Sequence, residues 1–256
     1  MFKMISAELY KLRKSKSFWI MLSVVAGVAI FASVVFGVVS GEEVAGIRPD
    51  SASVMFMIGL PFHVSTILFI LVGFTVVFIN SDFDSGTIRN PLSVGISRGN
   101  YFLSKIVTIL ITCFAFATVV VLASGLPYLL FESWGDAFNL PNFLASFGLG
   151  YLILVSQATL FTAIASVTRK VGATLGIVLG YLVFDMMASA FIGLLEIDGI
   201  VRSVANILPS PAGAYLEDLS MGTASFGNVM IVVAVSVGLI VIASALAVGS
   251  LVKKDI

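Results

Sequence analysis

The chain alternates long apolar runs with short polar ones, and the lengths of the runs carry the first inference. Six stretches are mostly apolar over about 20 residues or more: 18–40, 54–79, 102–130, 143–167, 171–195 and 228–251. A helix of roughly 20 residues, rising about 1.5 Å per residue, crosses the ~30 Å hydrocarbon core of a bilayer. Each run therefore predicts a spanning α-helix, the form that satisfies every backbone N–H and C=O without water. The third run is longer than a bilayer requires and contains Pro127. Tilting, or a break near 125–127, is expected there. The expected architecture is all-α and polytopic: six transmembrane helices in one domain over 1–256, with no internal repeat and no soluble domain.

A shorter pattern precedes the first run. Phe2, Ile5, Leu9 and Leu12 recur at helical spacing, with Lys3, Glu8, Lys11 and Lys14 on the opposite side. This predicts an amphipathic helix over 1–16 lying in the membrane interface; the plainer alternative is a basic anchor that only sets topology. The apolar run that follows continues to about Val39, too far for a cleavable signal peptide, and fits a retained spanning helix. Between the last two runs, LPSPAGAYLEDLSMG places Pro209 and Pro211 at turns, with a short surface or re-entrant helix over 215–219.

Composition agrees with the pattern. Hydrophobic residues make up 59 % of the chain and charged residues 11 %, against about 25 % charged in a soluble domain. The placement of charge is more informative than its sum of zero. Lys3, Lys11, Arg13, Lys14, Lys16, Arg89, Arg98, Lys105, Arg169, Lys170, Lys253 and Lys254 all fall on one side of the threaded membrane. Only Arg48 and Arg202 fall on the other, where Glu42, Glu43, Asp50, Glu132, Asp136, Glu196, Asp198, Glu217 and Asp218 gather. The positive-inside rule then puts both termini in the cytoplasm. The single cysteine, Cys113, excludes a disulfide within the chain and a CxxC site, and reads as a small apolar packing residue.

No HExxH, GxSxG or phosphate-cradling GxxxxGK[ST] occurs. The pattern is not that of an enzyme, and a chain without a nucleotide loop does not energise transport alone. It is a secondary carrier, a channel, or one part of a powered complex. Ion coupling calls for ionisable groups near mid-membrane. Asp185, in GYLVFDMMASAF, is such a group: a proton site or cavity-lining carboxylate on one reading, a hydrogen-bonded interhelical contact on the other. His63, just after Pro61, reads as a structural histidine near the outer surface, and Gln157 as an interhelical hydrogen-bond residue. Gly172, Gly176 and Gly180 line one face of the fifth helix and serve either internal packing or a subunit interface.

The connection over 80–105, NSDFDSGTIRNPLSVGISRGNYFLSK, is the largest interior polar surface on the basic side. Ser81 and Asp82 can cap a helix start; Ser85, Gly86 and Thr87 then break it, and Pro91 and Gly95 prevent one continuous helix. Asp82 and Asp84 come first, Arg89, Arg98 and Lys105 later. A partner groove is expected to meet the acidic end.

Here the chain resembles a known family. ELYKLRKSKSFWI resembles the elbow helix of type-2 ABC exporter permeases. FDSGTIRNPLSVGISRGNYFLSK is similar to the family's acidic residue, Gly-Thr, Arg-bearing turn and Lys opening helix three, and LVKKDI resembles its short basic tail. The look is closest to permeases of antimicrobial-peptide, lantibiotic and bacitracin export and immunity. The resemblance implies a multi-pass protein of the bacterial cytoplasmic membrane, paired with a second permease in a homodimer or heterodimer. Each permease docks on a separate cytoplasmic ABC ATPase that binds ATP and Mg, so this chain binds no cofactor or metal of its own and has no nucleic-acid partner. Carried over, Asp82, Phe83, Asp84, Gly86, Thr87 and Arg89, within a coupling segment at 80–101, form the docking element, framed by the interfacial helix of Phe2, Ile5, Leu9 and Leu12. The competing expectation is a stand-alone carrier or channel using Asp185.

Overall fold

A computed structural model describes residues 2–39, 60–84, 97–131, 139–195 and 204–253. Among these the structure is all-α, with eight helices: α1 Phe2–Lys14, α2 Lys16–Val39, α3 Leu60–Asp84, α4 Arg98–Phe131, α5 Leu140–Thr168, α6 Val171–Leu194, α7 Pro209–Met221 and α8 Phe226–Lys253. Six of them, α2 to α6 and α8, are long and apolar enough to cross a membrane.

Local chemistry sets several boundaries. Ser15 separates α1 from α2; its Oγ accepts from the Phe18 N–H, and the Trp19 indole N–H reaches back to the Arg13 carbonyl at 2.9 Å. The α5 start is capped by Asn139, whose side chain accepts from the Asn142 N–H at 3.2 Å, and Pro141 occupies the first turn, where its missing N–H has no consequence. The α5 end turns on Arg169 in the left-handed region, φ 58°, which lets α6 begin two residues later.

α5 is the central helix, packed on α3, α4, α6, α7 and α8. Its buried Thr159, Thr162 and Ser166 return their hydroxyls to the carbonyl four residues earlier at 2.8 Å. These three side chains thus reach the interior without an unsatisfied donor. Small residues bring α8 close, with Ala243 and Ala247 packed in one cluster with Ala163. A second core joins α2, α3 and α4 through Phe18, Phe74, Phe78 and Phe116, with neighbouring ring centroids 5.2–6.1 Å apart.

Some expectations need correction. α3 does not stop at residue 79 but runs through Asp84, so Ser81 and Asp82 sit in its closing turns rather than capping a new start. The reason is that Asp82 finds partners on α1 and α4, while the Ser81 hydroxyl returns to the Phe78 carbonyl at 3.2 Å, so the helix continues past its apolar stretch. α4 does not break near Pro127; it stays one helix of 34 residues. The short helix expected at 215–219 is longer and starts at Pro209. Among the described residues the glycine row makes no internal packing contact: Gly172, Gly176 and Gly180 are exposed, with nothing within 4 Å of an added Cβ.

Candidate functional site

The end of the bundle that holds α1 is built around the close of α3. Asp82 is buried and sits among three donors. Lys11 from α1 pairs with Oδ1, Lys105 from α4 pairs with Oδ2, and the Tyr101 hydroxyl donates to Oδ2 at 3.0 Å. Lys105 also donates to Glu8 Oε2 of α1 at 2.7 Å. Both ammonium groups lie 4.8 Å from the Phe78 ring centroid, within cation–π reach. Two acids and two bases from α1, α3 and α4 therefore form a clasp without net charge. Lys105 is only 1 % exposed, so these partners take the place of water around its ammonium.

The opposite side of the same helix end is tied as well. Asn80 Nδ2 donates to Thr174 Oγ1 of α6 at 2.7 Å. The guanidinium of Arg169 stands 5.6 Å from the Phe83 ring centroid and reaches the Ser250 carbonyl of α8 at 3.4 Å. The last turns of α3 are thereby fastened to α1 and α4 on one side and to the α5–α6 turn on the other.

The expected docking residues divide accordingly. Asp82 is turned inward and saturated by this chain, so it holds the connection in place rather than presenting an acid at the surface. Phe83 is half-buried beneath Arg169. Asp84 closes α3 at the mouth of the connection, and Gly86, Thr87 and Arg89 lie outside the described residues. In α1, Leu12 is buried and Ile5 and Leu9 are half-buried; Phe2 opens the helix. Glu8 and Lys11, assigned to the outer face from spacing, point inward because the clasp binds them. Lys3, Tyr10, Arg13 and Lys14 form the exposed face instead. The roles of Glu8, Lys11, Tyr101 and Lys105 as one unit were missed. The available signal was Lys105, a cation seven residues inside an apolar helix, which requires a buried acid.

A second polar group lies deep in the bundle. Gln157 of α5 donates through Nε2 to the Ile207 carbonyl at 3.0 Å and accepts at Oε1 from the Tyr181 hydroxyl of α6 at 2.8 Å. Asp185 of α6 accepts from the Ser210 N–H at 3.1 Å and the Ser210 hydroxyl at 2.6 Å. Asp185 and Gln157 are thus interhelical contacts, brought together by the segment entering α7. His63 is in the first turn of α3, and its side chain lies outside the described residues. Among the described residues no cluster of His, Cys, Asp and Glu suits a metal.

No curated protein sequence matches the chain. The sequence profile of ABC-2 family transporter proteins matches residues 4–187, from α1 to α6, and so spans the clasp, Gln157 and Asp185. With well over half its length matched, and with six membrane-length helices, the chain belongs to the ABC-2 family of transporter proteins.

Proposed function

We propose that this chain is the permease subunit of an ATP-driven exporter in the bacterial cytoplasmic membrane, with both termini cytoplasmic. ATP and Mg belong to a separate ABC ATPase that docks on the connection between α3 and α4. The observation that carries the reading is the clasp. It holds both flanks of that connection to each other and to α1, so a displacement there moves three helices together. A partner that changes state on ATP binding biases the permease only through contacts that differ between its states, and a connection fastened in this way transmits such a bias.

Asp84, Phe83, Gly86, Thr87 and Arg89 are the proposed docking residues, with Asp82 as their anchor. A second permease seats on the open glycine face of α6. The cargo is an amphipathic or antimicrobial peptide, moved out for secretion, immunity or resistance; the apolar interior suits such a molecule better than an ion. Asp185 gives the carrier alternative no support, because its oxygens are occupied by Ser210. The test is co-purification with the ATPase from the native host. Asp84→Arg and Gly86→Pro are expected to lose the ATPase and peptide export while the permease still inserts and folds. Retention of both would end the coupling assignment.

A further inference from the structure

The start of α7 admits a complete hydrogen-bond account. A helix leaves its first four N–H groups without partners inside the helix. Here the N-cap Leu208 donates to the Ala205 carbonyl at 2.9 Å. Pro209 and Pro211 have no N–H to satisfy. Only the Ser210 N–H remains, and Leu208 has no side chain able to cap it. Asp185, from a different helix, takes that N–H and the adjacent hydroxyl together. A carboxylate at a helix N-terminus is also favoured by the helix dipole.

This contact lies deep. Asp185 is roughly 20 Å along α6 from its start, and Gln157 roughly 25 Å along α5, at about 1.5 Å per residue. The turn leading into α7 therefore re-enters to the middle of the bundle. Irregular backbone at that depth persists only where protein supplies its partners, and Gln157 and Tyr181 supply them to the Ile207 carbonyl at 3.0 and 3.4 Å.

α7 packs into the main core through Ala212, Tyr215 and Leu216, and the Ser146 hydroxyl of α5 donates to its Leu216 carbonyl at 3.2 Å. Its C-terminal end turns on Gly222 at φ 75°, a backbone state that glycine adopts without strain. Leu216 on its inner face borders an apolar cavity of about 30 Å³ among Val64, Val120, Gly150 and Leu154.

We propose that Asp185 is a positioning residue that latches the inner end of α7 in the bundle. Releasing the latch loosens α7 alone and leaves the rest of the bundle closed. The inference does not depend on the exporter reading.

The test uses the full chain in lipid nanodiscs, with Ala212→Cys placed on the buried face of α7. The native Cys113, fully buried in α4, reports opening of the whole bundle. Leaving a buried donor without its acceptor corresponds to about a tenfold change or more in a local opening equilibrium. Asp185→Ala is expected to raise maleimide labelling of the introduced thiol about tenfold or more and to leave Cys113 labelling unchanged. Ser210→Ala, which keeps the N–H, should give a smaller rise. The double variant should label no faster than Asp185→Ala, because the two partners share one interaction. Should Asp185→Ala fail to fold, Asp185→Asn, which keeps one acceptor oxygen, is expected to give the intermediate rise. An unchanged rate, a parallel acceleration at Cys113, or multiplying effects of the two substitutions would each overturn the proposal.

Discussion

The ammonium of Lys105 has almost no access to water, and that decides how its neighbours respond to substitution. Removing one partner of a buried ion pair costs about 3–5 kcal/mol, whereas a solvent-screened pair is worth about 1 kcal/mol or less. Lys105→Met should therefore lower the thermal unfolding midpoint in detergent far more than Lys11→Met, whose side chain is 38 % exposed. Adding Glu8→Gln to Lys105→Met should recover part of the loss, since the stranded carboxylate is then gone. Equal effects of the two lysine substitutions would contradict a buried, mutually dependent cluster. The clasp was only half legible in the sequence. The charges of Glu8, Lys11, Asp82 and Lys105 were visible, but their meeting depends on the packing of α1 across α3 and α4. Helical spacing of α1 alone sent Glu8 and Lys11 to the wrong face, because it weighs apolar residues and cannot see a charge partner 97 residues away.

Among the elements, the long apolar helices were the most legible, because bilayer thickness fixes their length independently of any neighbour. Their ends were less so. α3 gained the turn through Asp84 from polar contacts, and α7 starts where two prolines and a distant carboxylate jointly settle its N-terminus. The pairing of Asp185 with Ser210 had no sequence signal beyond a carboxylate in need of a partner. The C-terminal end of α7 yields a sharper expectation. Gly222 is left-handed, and a Cβ there would meet Asn142 Nδ2 at 2.8 Å. Gly222→Ala should destabilise by at least about 1–2 kcal/mol, the cost of the left-handed backbone alone. Asn142→Ala introduced beside it should relieve only the steric share. Thermal unfolding of the single and double variants measures the split.

At the scale of the molecule, enclosure is uneven. Over its most apolar 18 residues α5 is 67 % buried, α6 and α8 only 17 % each. A mostly apolar, exposed α6 is unexceptional by itself, but its glycine row leaves a smooth strip of the kind that lets another helix approach closely. If a second permease seats there, Gly176→Leu should leave the monomer's unfolding midpoint unchanged and reduce cross-linked dimer in membranes. A fall in monomer stability would place the contact inside the chain instead.

The clasp also has a consequence for biosynthesis. Glu8 and Lys105 are separated by 97 residues, so at about 5–20 residues per second the ribosome needs roughly 5–20 s to make the second after the first. Throughout that interval Glu8 lacks its basic partner from α4. The clasp closes only once α3 and α4 have both been inserted, which makes the docking of α1 a late step in assembly, and a chain stalled before residue 105 would leave its first helix loose on the membrane surface.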